Sequence, residues 1–405
     1  MVSIVLILAF IVLRLSRIHV AELHDEDGYL WMSRLSITDV GFWWSGFRPF
    51  FVPLLFKLCR EKALLIVVVQ SLLSIGCWVL VASAFAAGIH RSSVLANVAL
   101  GSVLACGLSD SVVSWDGLAM SESCSISLMV AIIGQWYGLL RGWQSRKLAA
   151  LAGTILLWAF TRDSNAWLIL SLAGALVVIM AFCAAGARAR LAVLVAIFLV
   201  VFAGSASSAG AGNRWLVPYY NVVFKRILPV PAYRDYFEAR GMPVIPALLD
   251  RSGKFAWDDH KASRTEPGLE GFRQWVKDHG KATYFGFLVT HPTVLWLGPL
   301  HDSILEPDEH LGQAGVLPAL SSRGLGVLTG IGLLALIVLV VMRPLDRRRA
   351  VIPALLFVLS CLHAVQVWNM DAAEVQRHAQ PIVLLLELGA IFSLFTLLDC
   401  IQSAQ

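Results

Sequence analysis

The chain has 405 residues, of which 58% are hydrophobic and only 15% charged, with a mean hydropathy of +0.73. Soluble domains carry about a quarter charged residues, so a single water-soluble core is excluded and lipid must solvate much of the surface. The 32 Lys+Arg against 27 Asp+Glu leave a small basic excess, no basic run is interleaved with aromatics, and nothing points to a nucleic-acid partner.

A spanning helix takes about 20 mostly apolar residues. In chain order, ten stretches approach this: 2–19, 62–88, 93–108, 123–140, 148–160, 165–184, 191–208, 324–342, 350–366 and 381–399. The first lacks a basic leader region and a cleavage site and reads as a retained helix rather than a signal peptide. The fifth and sixth read as a broken or re-entrant pair around Thr161–Ser164. The expectation is an all-α, polytopic transmembrane protein of about ten helices with helical extracytoplasmic loops. Residues 1–208 form an N-terminal transmembrane module with a first outer loop at 20–61, residues 209–322 a long extracytoplasmic loop, and residues 323–405 the C-terminal transmembrane helices. The long loop mixes aromatics with charges, as in Arg214-Trp215-Leu216-Val217-Pro218-Tyr219-Tyr220 and Trp257-Asp258-Asp259-His260, and is expected to form partial helices, with a further dipping or spanning segment from Tyr284 to Leu300. The seven cysteines form no CxxC pair and read as small hydrophobes.

Lys/Arg clusters mark cytoplasmic loops. Placing Arg141, Arg146 and Lys147, then Arg188 and Arg190, then Arg343 and Arg347–Arg349 inside, and alternating the helices, puts the N-terminus, His90-Arg91 and the C-terminus inside too. Every acid-rich polar stretch then falls outside: 20–61, 109–122, 161–164, 209–322 and 367–380. Convergence on one face predicts a shared extracytoplasmic site in a multi-pass plasma-membrane protein.

The first candidate constellation is His24-Asp25-Glu26-Asp27-Gly28-Tyr29, just past the first helix. Three acids in a row are expensive near lipid. A helix starting here places Asp25 and Tyr29 on one face, where a carboxylate can take the proton of an acceptor hydroxyl. The plain alternative is acids favoured in a first helical turn by capping and the helix dipole. The second is Trp43-Trp44-Ser45-Gly46-Phe47-Arg48-Pro49. Arg48 can clamp a phosphate or pair with the acids, and the tryptophans can line a sugar face or anchor the loop at the interface.

An acid pair after the first helix, then Tyr, then Arg-Pro before the second helix resembles the GT-C superfamily of glycosyltransferases, in its protein O-mannosyltransferase and aminoarabinose-transferase-like branch. That branch carries Asp-Glu-x-x-Tyr, matched by Asp25-Glu26-Asp27-Gly28-Tyr29, and often Arg-Pro-Pro, where this chain has Arg48-Pro49-Phe50. The likeness is sharp over residues 20–58 and diffuse elsewhere. It implies a GT-C-like fold, a sugar carried on polyprenyl phosphate, inversion at the anomeric carbon, and a glycan, lipid or protein acceptor. The family's catalytic aspartate falls on Asp25 in one register and on Asp27 in the neighbouring one.

Asp110, Trp115-Asp116, Ser121-Glu122 and Arg162-Asp163 lie at helix ends on the same expected face and can shape a donor pocket, or serve as caps and ion pairs. His301-Asp302 with Glu306-Pro307-Asp308-Glu309-His310 supplies hard ligands that could hold Mg²⁺ or Mn²⁺, without matching a metal motif. Asp371, Glu374, Arg377 and His378 have spacings that can share one helical face. By the resemblance, Arg377, followed by His378, would hold the lipid phosphate. The site set is thus Asp25, Glu26 and Asp27 as catalytic acids, with Tyr29, Arg48, Arg162, Arg377 and His378 binding substrate.

Two other classes remain. An O-antigen ligase or polymerase also has many helices and a long outer loop, but lacks the acid pair in its first loop. A lipid or solute transporter calls for charges at mid-helix and repeated halves, and the charges of this sequence cluster at helix ends.

Overall fold

The computed structural model describes residues 1–21, 26–182, 185–256, 265–301, 322–342, 347–373 and 375–402. Among these residues the secondary structure is helical, with no strand and one isolated bridge between Ala21 and Leu118. Among the described residues, seven helices are long and apolar enough to cross a membrane, or eight when one bent pair counts as a span. The chain divides into two compact units: Met1–Gly212 with Pro307–Leu362 and Gln380–Gln405, and Asn213–Glu306 with His363–Ala379.

The first unit begins with α1 (Val2–Leu15), α2 (Glu26–Arg34) and α3 (Phe51–Leu58). Next come α4 (Ala63–Ala86), α5 (Ser93–Gly107), α6 (Asp110–Asp116), α7 (Ser121–Arg141), α8 (Ser145–Ala159), α9 (Asp163–Ala181) and α10 (Ala185–Ala211). Spans α4, α7, α9 and α10 meet both the length and the hydropathy required; α1 and α8, expected as spans, are shorter, at 14 and 15 residues. A sharp bend of 52° lies between α5 and α6; around 161–164, α8 ends at Ala159 and α9 begins at Asp163.

Helix α7 is the central element. Its span is 78% buried, against 28% for α10, and it packs against α4, α6 and α8. Its serine-rich first half, Ser121 to Ser127, is fully enclosed. In lipid, small polar residues of this kind allow close helix approach and hydrogen bonds between helices: Asn165 of α9 donates to Ser125 Oγ at 2.9 Å and to Trp158 O at 2.9 Å.

Basic residues gather at one end of this unit. Arg141 donates to Ala84 O (2.8 Å) and Arg349 to Gly88 O (3.0 Å) and to Asp399 (2.6 Å), whose other oxygen accepts the Arg91 amide (3.0 Å). The helix C-terminus after α4 thus receives cations, as its dipole favours. The late helices α17 (Ser322–Met342), α18 (Arg347–Met370) and α19 (Val375–Gln402) each contain a candidate span.

The second unit holds α11 (Leu216–Val222), α12 (Pro231–Glu238), α13 (Pro246–Leu249), α14 (Glu270–Trp275), α15 (Lys281–Thr290) and α16 (Pro292–His301). Its core is aromatic, built on Tyr219, Tyr220, Phe224, Phe237, Phe272, Trp275 and Phe287. The dipping or spanning segment expected over 284–300 is two helices, because Pro292 cannot continue the ladder of α15 and instead takes the first position of α16.

Candidate active site

The chain leaves α1 through Ala21, whose amide bonds Gly117 O at 2.9 Å, and re-forms a helix at Glu26. Asp25 lies outside the described residues, Glu26 opens α2, and Asp27 in its first turn is exposed. Acids here suit the positive end of the helix.

One turn on, Tyr29 is buried against Phe56 (ring centroids 5.9 Å apart) within a cluster of Val52, Cys59, Ile66 and Ala119. The α2–α3 hairpin that buries it is fastened by Lys57, whose ammonium donates to Ser33 O (2.5 Å) and Leu35 O (2.8 Å) at the C-terminal end of α2. Glu61 accepts from Ser33 (3.0 Å) and Arg34 (3.3 Å).

The connection between α2 and α3 brings in Arg48. It passes through a π-helical turn at Gly41–Ser45, in which Phe42 is buried and the Trp43 indole donates to Ile37 O at 2.6 Å. Trp43 also packs on Phe50, which packs on Phe160. The Trp44 carbonyl accepts from Ser208 of α10 at 2.6 Å. This fixed loop sets the Arg48 guanidinium carbon 5.1 Å from the centre of the Tyr29 ring, a cation–π arrangement. Gly28 leaves room for it: a Cβ there would sit 3.1 Å from Arg48 Nε and 3.2 Å from the Phe47 ring. Gly28→Ala is therefore expected to displace Arg48 from the Tyr29 ring with little change in the unfolding midpoint.

Arg162, at the N-terminal boundary of α9, pairs with Glu122 at 3.3 Å; their side chains are 12% and 2% exposed, so the pair is nearly dry. Ser121 donates to the same carboxylate at 3.2 Å. The phenol of Tyr29 feels all of these groups. Burial raises its pKa above the ordinary tyrosine value; Arg48 opposes this, Glu122 adds to it, and a Ser121 hydrogen bond and Arg162 oppose it. Tyr29 is therefore a neutral hydroxyl at physiological pH, fit to orient a ligand and not to act as a base.

Three sequence-chosen residues from separate stretches, Tyr29, Arg48 and Arg162, thus meet in one cluster with Ser121 and Glu122. Asp110 and Asp116 turn instead to the end of α1. Arg17 pairs with Asp110 at 2.6 Å. The Arg14 guanidinium, almost fully enclosed, pairs with Asp116 and donates to Gly107 O and to Ser74 Oγ. Arg14 escaped sequence reasoning because a lone Arg ending an apolar helix reads as an interfacial anchor.

Arg377 is buried and His378 half-buried in the first turn of α19, within the second unit. Asp371 does not share their helix. It lies in the break before α19, where its carboxylate accepts the Ala373 amide (3.0 Å) and Asn221 (3.1 Å). A short side chain bonding its own backbone two residues on favours a turn over a continuing helix, so the expected four-residue face does not form. Glu374, Asp302, Glu306 and Asp308–His310 lie outside the described residues. Among the described residues no three His, Cys, Asp or Glu side chains gather closely enough to hold a metal ion.

One charge departs from the sequence reading. Glu387 lies in the middle of the α19 span, 7% exposed, with Oε2 lacking a hydrogen-bond partner. The charges therefore do not all sit at helix ends.

In comparisons with known proteins, no family model matches the chain and no curated protein matches it.

Proposed function

We propose that the chain is a membrane glycosyltransferase that moves a sugar from a polyprenyl-phosphate donor to an acceptor hydroxyl on the extracytoplasmic face, on a GT-C-like framework. The observation that carries this reading is the meeting of Tyr29, Arg48 and Arg162 with Glu122 beside the acid-led start of α2. Asp25 or Asp27 takes the proton of the acceptor hydroxyl, the acceptor oxygen bonds the anomeric carbon, and the bond from that carbon to the phosphate oxygen breaks with inversion. Negative charge grows on the departing phosphate, where a fixed guanidinium is most effective. Arg48 serves that role, while Arg162 is held in place by Glu122. A phosphate leaving group needs no dedicated acid. Arg377 and His378 enter this reading by resemblance alone.

The test is transfer in membranes from a polyprenyl-phosphate sugar. Removing a general base costs roughly 10²–10⁴-fold, so one of Asp25→Asn and Asp27→Asn is expected to lose activity on that scale. Undiminished transfer in both would overturn the assignment.

A transporter is the second reading, favoured by Glu387, since an ionisable group in mid-span marks transport pathways. Uptake into vesicles that falls in Glu387→Gln, with no sugar transfer in the native chain, would select it.

A further inference from the structure

The second unit carries its own cavity of about 340 Å³. It is walled by Lys225, Arg226, Tyr233, Thr293, Leu297 and Trp368. The two cations stand on the π-helical turn that continues α11, Val223–Ile227. Arg226 is fixed by donating to the Trp368 carbonyl, and its guanidinium carbon lies 3.9 Å from the centre of the Trp368 ring. Lys225 lies over the Phe255 ring at 3.7 Å. Trp368 in turn lies directly on Gly298: a Cβ at that position would come within 2.4 Å of the indole. The cavity is thus a built one, with a cationic wall and an apolar wall.

Two further observations say what kind of anion it suits. Trp368 is in the last turn of the α18 span, which runs to Met370, and tryptophan at the end of an apolar helix is the usual residue of a membrane interface. Apolar side chains are also exposed on α16, which lines the cavity, and on the preceding α15. Leu297 lines the cavity and is itself 47% exposed, next to Trp296 at 54%, with Phe285 and Val289 of α15 at 70% and 61%. Exposed apolar surface of this kind in a soluble loop marks a partner, and tryptophan beside a cation is the composition of a membrane interface. A soluble anion would use the cations and leave the apolar surface in water; a lipid uses both.

We propose that this cavity and the apolar face of α15 and α16 together bind an anionic phospholipid, its phosphate between Lys225 and Arg226 and its acyl chains along Leu297 and Trp296. The site is independent of the transfer chemistry and of the glycosyltransferase reading.

The test uses the detergent-purified full chain and native mass spectrometry, with phosphatidylglycerol and phosphatidylcholine titrated in parallel. Phosphatidylglycerol is expected to be retained about fivefold more tightly for each basic residue engaged. That preference should fall about fivefold in Lys225→Gln and persist in Lys225→Arg. Equal retention of the two lipids, or an unchanged preference in Lys225→Gln, overturns the proposal. Inorganic phosphate supplies the other arm: thermal protection by phosphate that depends on Lys225, without a lipid preference, assigns the cavity to a soluble anion and equally overturns it. Should Lys225→Gln fold poorly, the native chain decides through acyl-brominated lipids. Tryptophan quenching must be stronger with phosphatidylglycerol than with phosphatidylcholine, the difference shrinking in Trp296→Phe, and equal quenching rejects the site.

Discussion

Asp116→Asn is expected to be the most destabilising single substitution in the first unit, by about 3–5 kcal/mol, the usual cost of leaving one member of a buried ion pair alone. The side chains of Arg14 and Asp116 are 1% and 6% exposed. The carboxylate also accepts from Ser123 at 2.5 Å, and Arg14 donates to Ser74 at 2.7 Å. Asparagine keeps the shape and some hydrogen bonds but leaves the Arg14 charge uncompensated in an apolar surround. The pair ties the end of α1 to α4 and α6, so the loss spreads to the start of α2. Equilibrium unfolding in mixed micelles measures it. The double variant Arg14→Met with Asp116→Leu should recover most of the loss, because a buried pair replaced by apolar groups of similar size is often neutral or better. An Asp116→Asn protein within about 0.5 kcal/mol of the native chain, the range of ordinary surface changes, would mean that water reaches the pair.

Under the proposed sugar transfer, Arg48→Ala carries the largest expected effect on activity beyond the acids proposed as base. Loss of a fixed group that meets charge as it forms in the transition state costs roughly 10²–10³-fold in turnover. Here the loss should appear in kcat, with the fold retained, because Arg48 rests on the Tyr29 ring at 5.1 Å and is not part of the hairpin fastening made by Lys57 and Glu61. Arg48→Lys should recover little: an ammonium lacks the planar fork that meets two phosphate oxygens together. Glu122→Gln is the companion measurement. It leaves Arg162 in place but without its carboxylate, so activity and stability should fall together, whereas Arg48→Ala lowers activity alone. If Arg48→Ala transfers sugar at the native rate, the cluster is structural.

Composition and hydropathy by themselves pointed to a helical, lipid-solvated chain, because 15% charged residues leave much of the surface to lipid and apolar stretches near 20 residues satisfy their backbone there as helices. The motif likeness over residues 20–58 singled out Tyr29 and Arg48, and Arg162 stood out as a charge at a break between two apolar stretches. What only the tertiary structure decided is partnership. Arg162 meets Glu122 from the start of α7, Asp116 goes to Arg14 from about a hundred positions earlier, and Asp371 folds back on its own backbone ahead of α19. The bend between α5 and α6 was equally beyond reach, whereas Pro292 as a helix breaker and Glu387 inside the 381–399 stretch stand in the sequence itself. Periodicity and charge are properties of one segment, whereas ion pairing and burial depend on which segments the packing of α7 brings side by side.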